Sequence, residues 1–351
     1  MAKRKLPGRG ATLNPPNRYE RVEVAWEPDE WEEESAEPTQ YFRDNSRTVL
    51  AENSSPDVPF RFSLNPYRGC EHGCVYCYAR PTHEYLGFSA GLDFERRILV
   101  KENAPELLRA AFASPQWQPE PVALSGNTDC YQPIERHLGL TRRCLEVFRE
   151  FRNPVVVVTK SALVLRDIDL LQELSQDNLV RVGISITTLD ASLARLLEPR
   201  AAQPERRLHA LSTLASAGVR TMVMVAPIIP GLNDEEIPQI LAAAREAGAM
   251  AASYVLLRLP RPVDDLFADW LRQHFPNRFH RVLGRVRQCR EGKLYRSEFG
   301  TRKTGTGPYA EQIRQLFAVA SRRFGLDRPL PELNTQLFRR PAPRSRQLSF
   351  L

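Results

Sequence analysis

The chain has no run of about eighteen apolar residues, the length a helix needs to cross a bilayer, so a helical membrane span is not expected. Its opening, Met1-Ala-Lys-Arg-Lys-Leu-Pro, is basic but lacks the apolar stretch of a signal peptide. Cysteine is scarce, with six in 351 residues, and outside one short loop no second cysteine pair occurs. That excludes a disulfide framework and the paired ligand sets of most structural zinc sites. A reducing compartment follows, and the cytoplasm is the plain expectation. No internal repeat is visible beyond an alternation of strand and helix.

What is present is an ordinary globular composition, 42% hydrophobic and 26% charged. That suffices for one large α/β domain or two small ones with ample core. The net charge of +7 is unevenly placed. From Arg258 to Leu351 there are 20 Lys and Arg against 8 Asp and Glu, a net of +12, so the rest of the chain is at −5. A basic C-terminal third points to an anionic partner, DNA or RNA being the commonest, with a solvated face as the alternative.

Residues 1–58 are rich in proline and charge, and their acidic run Glu27-Pro-Asp-Glu-Trp-Glu-Glu-Glu34 has little to bury, so a mostly disordered arm is expected. Between 59 and 260 the chain alternates. Short apolar strands are predicted at Phe60–Leu64, Val122–Ser125, Val155–Thr159, Val180–Thr187, Val219–Ile229 and Ser253–Leu257. Helices are predicted at Ala104–Ala113, Thr141–Arg152, Asp167–Gln176, Ala191–Leu197, Pro204–Ala217 and Asp234–Ala247. Nearly all-apolar strands between amphipathic helices mean a parallel sheet covered by helices. Five or six such units suit a partial (β/α)6 barrel, with a doubly wound open sheet as the alternative. Residues 261–330 are predicted as a helical basic extension, Asp264–His274, Arg278–Cys289 and Tyr309–Phe324, with the strip Tyr295–Tyr309 packing against or over the barrel mouth. Residues 331–351 are expected as a flexible basic tail.

The organising stretch is Asn65-Pro-Tyr-Arg-Gly-Cys70-Glu-His-Gly-Cys74-Val-Tyr-Cys77-Tyr-Ala-Arg80. Cys70, Cys74 and Cys77 stand at C-x3-C-x2-C spacing. Thiolates are soft ligands that select iron–sulfur clusters, zinc or copper(I), and three on one loop hold three corners of a cubane while leaving the fourth iron open. Gly69 and Gly73 supply the unusual dihedrals such a loop needs. Zinc held by the three thiolates with His72 or His83 is the rival set. The loop resembles that of the radical S-adenosylmethionine (SAM) enzymes, and Asn-Pro-Tyr-Arg-Gly-Cys with Cys-Tyr-Ala-Arg resembles the branch related to spore photoproduct lyase. The resemblance covers roughly 60–260. It implies a 4Fe–4S cluster, SAM, reductive cleavage to a 5′-deoxyadenosyl radical, and a reductant such as flavodoxin or ferredoxin.

In barrels of βα units, reactive groups gather at the C-terminal ends of strands. Gly126–Pro133 follows one predicted strand, Thr159-Lys160-Ser161 another, and Ser185 and Thr187 share a face of a third. Lys160, Thr128, Ser185 and Asp129 supply the donors and acceptors that SAM's carboxylate, amine and ribose require. The resemblance adds Tyr76, and points more weakly to Glu198 and Arg200. The family's hydrogen-returning cysteine falls at Gly126 here, so Cys130 and Tyr78 are the candidate donors. Cys144 is expected in the core, and Cys289 in a basic helix. The last five residues, Gln347-Leu-Ser-Phe-Leu351, resemble the motif by which bacterial repair proteins dock on the sliding clamp. The leading expectation is a radical SAM enzyme acting on nucleic acid. The rivals are radical SAM modification of a peptide or small metabolite, and a non-catalytic zinc-binding nucleic-acid module.

Overall fold

A computed structural model describes residues 9–19 and 38–341. The strands, in chain order, are β1 Gln40–Arg43, β2 Leu50–Glu52, β3 Phe62–Leu64, β4 Tyr67–Arg68, β5 Arg97–Val100, β6 Val122–Leu124, β7 Val155–Thr159, β8 Val180–Ser185, β9 Thr221–Ile228 and β10 Ala251–Leu256. A seven-stranded sheet runs β10-β9-β8-β7-β6-β3-β2. Every pair in it is parallel except β2 with β3. The order climbs without reversing, so the chain winds in one sense, as a barrel does and a doubly wound sheet does not. The sheet is open, with β10 and β2 at its two ends. The remaining strands, in the order β1-β5-β4, form a small second sheet.

Alternation along the strands separates two faces. Val155, Val157, Val223 and Val225 are buried in the main core with Leu145, Phe148, Leu171 and Leu241 of the covering helices. Their neighbours Val156, Val158, Met222 and Met224 are only half buried and line the other face. There a Cβ at Gly183 would stand 3.5 Å from Val158, Met222 and Met224, so this side keeps its width. Among the described residues no helix is long and apolar enough to cross a membrane.

The N-terminal residues differ from expectation. β2 is a paired strand rather than part of a disordered arm, and β1 pairs in parallel with β5. Glu95–Lys101, whose sequence suits a strand or a tight lead-in, is divided between a helix, Leu92–Arg96, and β5.

Beyond β10, helices Val263–His274 and Phe279–Gln288 bury Phe267, Trp270 and Val282 in a second core that contains Cys74, Val75 and Tyr76. Helix Gly307–Arg323 places Ile313 and Phe317 in the main core. The strip before it lies where the open sheet ends. The Leu256 amide donates to the Lys303 carbonyl at 2.7 Å. On the opposite edge Asp57, between β2 and β3, accepts from the Gly300 amide at 2.6 Å and pairs with Arg302. This segment bridges the two edges that do not meet by strand pairing.

Residues 331–341 are pinned, contrary to the expected flexible tail. Phe338 packs edge-on to Phe112 at 6.3 Å. The Arg339 amide donates to the Phe151 carbonyl at 2.9 Å, and Arg340 donates to the Ser114 and Trp117 carbonyls at 3.1 and 2.8 Å. An aromatic anchor and three carbonyls at or just beyond the ends of two helices account for the docking. The clamp-like motif at 347–351 lies outside the described residues.

Candidate active site

The cysteine loop leaves β4 and is fixed from several sides. Gly69 and Gly73 take φ of +80° and +65°. A Cβ on Gly69 would meet Ile98 at 2.9 Å and the Phe94 carbonyl at 3.0 Å, so only glycine fits there. The Cys70 amide donates to the Phe94 carbonyl at 2.9 Å. Buried Gln132 accepts from the Glu71 amide at 3.0 Å and donates to the Gly69 carbonyl at 3.2 Å. Cys70 and Cys74 are buried, Cys77 is partly buried, and all three are free thiols. Burial pushes each thiol pKa up; the neighbouring Asp129 adds to this at Cys70, and Glu198 at Cys74. The backbone N–H groups of His72 and Ala79 act in the other direction, at Cys70 and Cys77. Three desolvated sulfurs with amide donors nearby fit a bound cationic cluster, which takes thiolates and whose sulfurs accept such hydrogen bonds. The two histidines weighed as zinc ligands are engaged elsewhere: His72 with Asp129 at 3.4 Å, and His83 with the Arg97 carbonyl at 2.9 Å.

The rim groups read from the sequence divide into two sets. Lys160, Ser185, Tyr76 and Glu198 come together. Lys160 Nζ donates to Ser185 Oγ at 2.6 Å and to the Ala226 carbonyl at 3.2 Å, and stands 3.8 Å from Glu198. Glu198 accepts from the Tyr76 hydroxyl and from Thr187 Oγ1 at 2.6 Å. Burial by itself would raise the Glu198 pKa, but Arg207, Lys160, Thr187 and Tyr76 outweigh it and hold it at about 2. The segment carrying Glu198 also touches the cysteine loop. The Val75 amide donates to the Leu197 carbonyl at 3.1 Å, the Arg200 amide to the His72 carbonyl at 3.2 Å, and the Ala202 amide to the Lys160 carbonyl at 3.3 Å.

The second set braces rather than faces the rim. Asp129 has both oxygens committed. One accepts from Thr159 Oγ1 at 2.7 Å and the Tyr131 amide at 2.9 Å; the other accepts from the Lys160 amide at 2.8 Å and faces His72. Burial opposes its charge, yet His72 and these donors hold its pKa at about 2. Thr128 Oγ1 donates to the Tyr67 carbonyl at 2.6 Å. Arg200 turns to Glu71 at 3.0 Å. Cys130 is wholly buried in the main core, as is Cys144. Cys130 is therefore a small core residue, its amide tied to Ser125 Oγ at 2.7 Å. Tyr78 remains accessible, 43% exposed. Its hydroxyl donates to the Gly126 carbonyl at 2.8 Å, and Arg258 lies 4.9 Å above its ring.

The sequence reading missed Arg207, which is buried, pairs with Glu198 and donates to the Ala202 and Ser185 carbonyls at 2.7 and 3.0 Å. The available signal was an arginine on the buried face of an amphipathic helix, a few residues after the loop that carries Glu198. It also missed Arg80 and Glu95, a fully buried pair under the cysteine loop.

Residues 64–244 match the radical SAM superfamily. The uncharacterized protein Rv2578c of Mycobacterium tuberculosis is 37% identical over 284 residues, 78% of each chain. The uncharacterized protein MJ0683 of Methanocaldococcus jannaschii is 33% identical over 176 residues, covering 50% of this chain and 63% of its own. Among solved structures, a spore photoproduct lyase mutant superimposes with a TM-score of 0.59 at 17% identity, over 81% of this chain and 79% of that one. Another mutant of that lyase, with bound AdoMet and dinucleoside spore photoproduct, gives 0.58 at 16%, over 81% of this chain and 78% of that one. The chain belongs to the radical SAM superfamily of enzymes. The cofactors of that superfamily are a 4Fe–4S cluster and SAM.

Proposed function

We propose that Cys70, Cys74 and Cys77 hold the 4Fe–4S cluster, that Lys160, Ser185 and Tyr76 form the SAM-binding rim with Glu198 as the group that positions them, and that the enzyme acts on nucleic acid in the cytoplasm. The observation that carries the cofactor part is the direct backbone joining of the cysteine loop to the segment that presents Glu198. Together the cluster and SAM supply a 5′-deoxyadenosyl radical that removes hydrogen from carbon. Lys160 is the cation for the SAM carboxylate, now held by Ser185 and the Ala226 carbonyl. Glu198, already saturated by Arg207, Thr187 and Tyr76, fixes the tyrosine ring rather than exchanging a proton.

The nucleic-acid part is supported by the seam across the open sheet. Arg258, Arg302 and Lys303 are close enough that the two arginines act to lower the Lys303 pKa, after the larger effect of burial. Beside them stand two exposed rings, Tyr78 and Phe299, each beneath an arginine, Arg258 at 4.9 Å and Arg302 at 4.6 Å. Cations with accessible aromatic faces are the chemistry that takes a phosphate backbone and a stacked base. A structural neighbour is a spore photoproduct lyase complexed with dinucleoside spore photoproduct. Where that family's cysteine would stand, a Cβ on Gly126 would lie 2.8 Å from Ser63 Cβ, so the position takes no side chain unless Ser63 moves. Tyr78, hydrogen-bonded to the Gly126 carbonyl, is the hydrogen-atom donor in this reading. All six cysteines are free, which agrees with the reducing cytoplasm.

The test is anaerobic reconstitution of single alanine variants. Cys70→Ala, Cys74→Ala and Cys77→Ala are each expected to lose the cluster absorbance near 400 nm and SAM cleavage, while Cys130→Ala, Cys144→Ala and Cys289→Ala keep both. A loop variant that retained the full iron complement while a core variant lost it would overturn the ligand set.

A further inference from the structure

Residues 9–18 run across the outer side of the cysteine loop and are held there by a buried clasp. The Gly10 and Ala11 amides donate to the two oxygens of Glu95 at 3.0 and 2.8 Å. Glu95 also pairs with Arg80, and both side chains are fully buried. Arg80 in turn donates to the Cys74 carbonyl at 3.0 and 2.9 Å and to the carbonyls of Ala90 and Gly91 at 3.2 and 2.8 Å. One ion pair therefore grips the N-terminal segment on one side and the backbone of Cys74 on the other. The approach is close: a Cβ on Gly10 would stand 1.7 Å from the Gly73 carbonyl oxygen.

Further contacts tie the segment down at intervals. Thr12 donates to Asp269 at 2.6 Å, Ser89 donates to the Pro15 carbonyl at 2.6 Å, and Asn17 donates to the Glu84 carbonyl at 2.8 Å. Ala11 is 2% exposed and Asn17 7%, although the sequence here, Arg-Gly-Ala-Thr-Leu-Asn-Pro-Pro-Asn, has no helical or strand period. Such a segment does not hold itself in place by local structure; it is held by its acceptors.

We propose that this segment is a seal over the cluster loop, with Gly10, Glu95 and Arg80 as positioning residues. They fix the left-handed turn at Gly73 and keep water and oxygen from the loop that carries Cys70 and Cys74. The inference rests on the assignment of the cluster to the cysteine loop. Glutamine cannot replace Glu95, because either orientation sets an amide N–H₂ against an N–H donor of the segment or of Arg80. Valine at Gly10 cannot approach Gly73 without backbone movement.

The experiment compares wild type, Gly10→Val, Glu95→Gln, the double variant and a chain lacking residues 1–12, all reconstituted anaerobically. The readouts are iron per chain, the rate at which absorbance near 400 nm bleaches in air, and hydrogen exchange of the 70–77 amides without the cluster. Wild-type iron content tests the cluster assignment by itself, so failure of that reading is seen separately. Each single variant is expected to bleach about tenfold faster, with faster exchange over 70–77, because losing charge-assisted contacts opens the segment locally. The double variant is expected to bleach little faster than either single one, since both act through one clasp. The truncation removes the seal without adding a clash, so it decides the matter if Gly10→Val fails to fold. A truncated or single-variant protein that binds full iron and bleaches at the wild-type rate would overturn the proposal.

Discussion

Replacement of Arg207 by methionine is the most demanding perturbation of the rim. Arg207 is 2% exposed in its side chain, and its partner Glu198 is fully buried. Removing the arginine leaves the carboxylate with the Tyr76 and Thr187 hydroxyls and with Lys160 at 3.8 Å. The Ala202 and Ser185 carbonyls, which accept from Arg207 at 2.7 and 3.0 Å, are orphaned as well. Breaking a buried pair from one side costs about 3–5 kcal/mol, a large part of the roughly 5–15 kcal/mol that holds a domain together. Urea unfolding of the protein without cluster measures this directly.

The pH dependence identifies the cause. In wild type the Glu198 pKa is held at about 2, against 4.5 for the free group. Its stabilising contribution is therefore complete above pH 4.5 and is lost as pH falls toward 2. Without Arg207 the folded-state pKa rises and the carboxyl is neutralised at a higher pH. The variant's deficit is then greatest near neutrality and shrinks as the solution is acidified. A loss below about 1 kcal/mol at pH 7.5, or a deficit that does not shrink at all between pH 7.5 and pH 3, would refute the reasoning. So would full recovery in Arg207→Lys, which restores the charge but not the forked donors to three acceptors.

Lys160→Ala is expected to weaken SAM about tenfold or more by calorimetry while leaving bound iron unchanged, since one charge-assisted contact to a carboxylate is worth about 1.5–3 kcal/mol; unchanged affinity would remove it from the site. For the seam, Arg258→Gln and Lys303→Gln are each expected to reduce the salt dependence of binding to single-stranded DNA or RNA by about one in log–log slope. Charge reversal at Arg339 and Arg340 should instead lower the urea midpoint, because both side chains bind backbone carbonyls, and the slope should stay as it is. A seam variant with the wild-type slope would return the basic third to a role in packing and solubility.

The repeating part of the fold was legible because its signals are local. Val155–Thr159 and Ala104–Ala113 fall where their apolar pattern puts them, and parallel pairing follows from nearly all-apolar strands that alternate with helices. The cysteines were legible for the same reason, three within eight positions. What escaped were groups whose partners lie far along the chain. Glu95 carries no local sign of burial, yet its two oxygens accept from amides 84 and 85 residues away. Arg339 is read as a tail charge, yet its Nε donates to the Glu150 carbonyl across 189 residues. A side chain's charge says nothing about which backbone groups a distant helix end has left unpaired.

The same distinction explains the division within the rim. Asp129 and Lys160 look alike from sequence, two polar residues just past a strand. Asp129, however, is fixed by a side-chain acceptor role that neighbouring amides and hydroxyls can saturate completely, whereas Lys160 carries three donors on a flexible stem and stands 16% exposed. A saturated acid has no capacity left for a ligand. On the proposed assignment, a lysine resting on a hydroxyl and a carbonyl, with the committed Glu198 carboxylate 3.8 Å away, can turn its donors to a ligand carboxylate. Binding capacity at this rim is thus set less by which residues stand there than by which of them the fold has already satisfied.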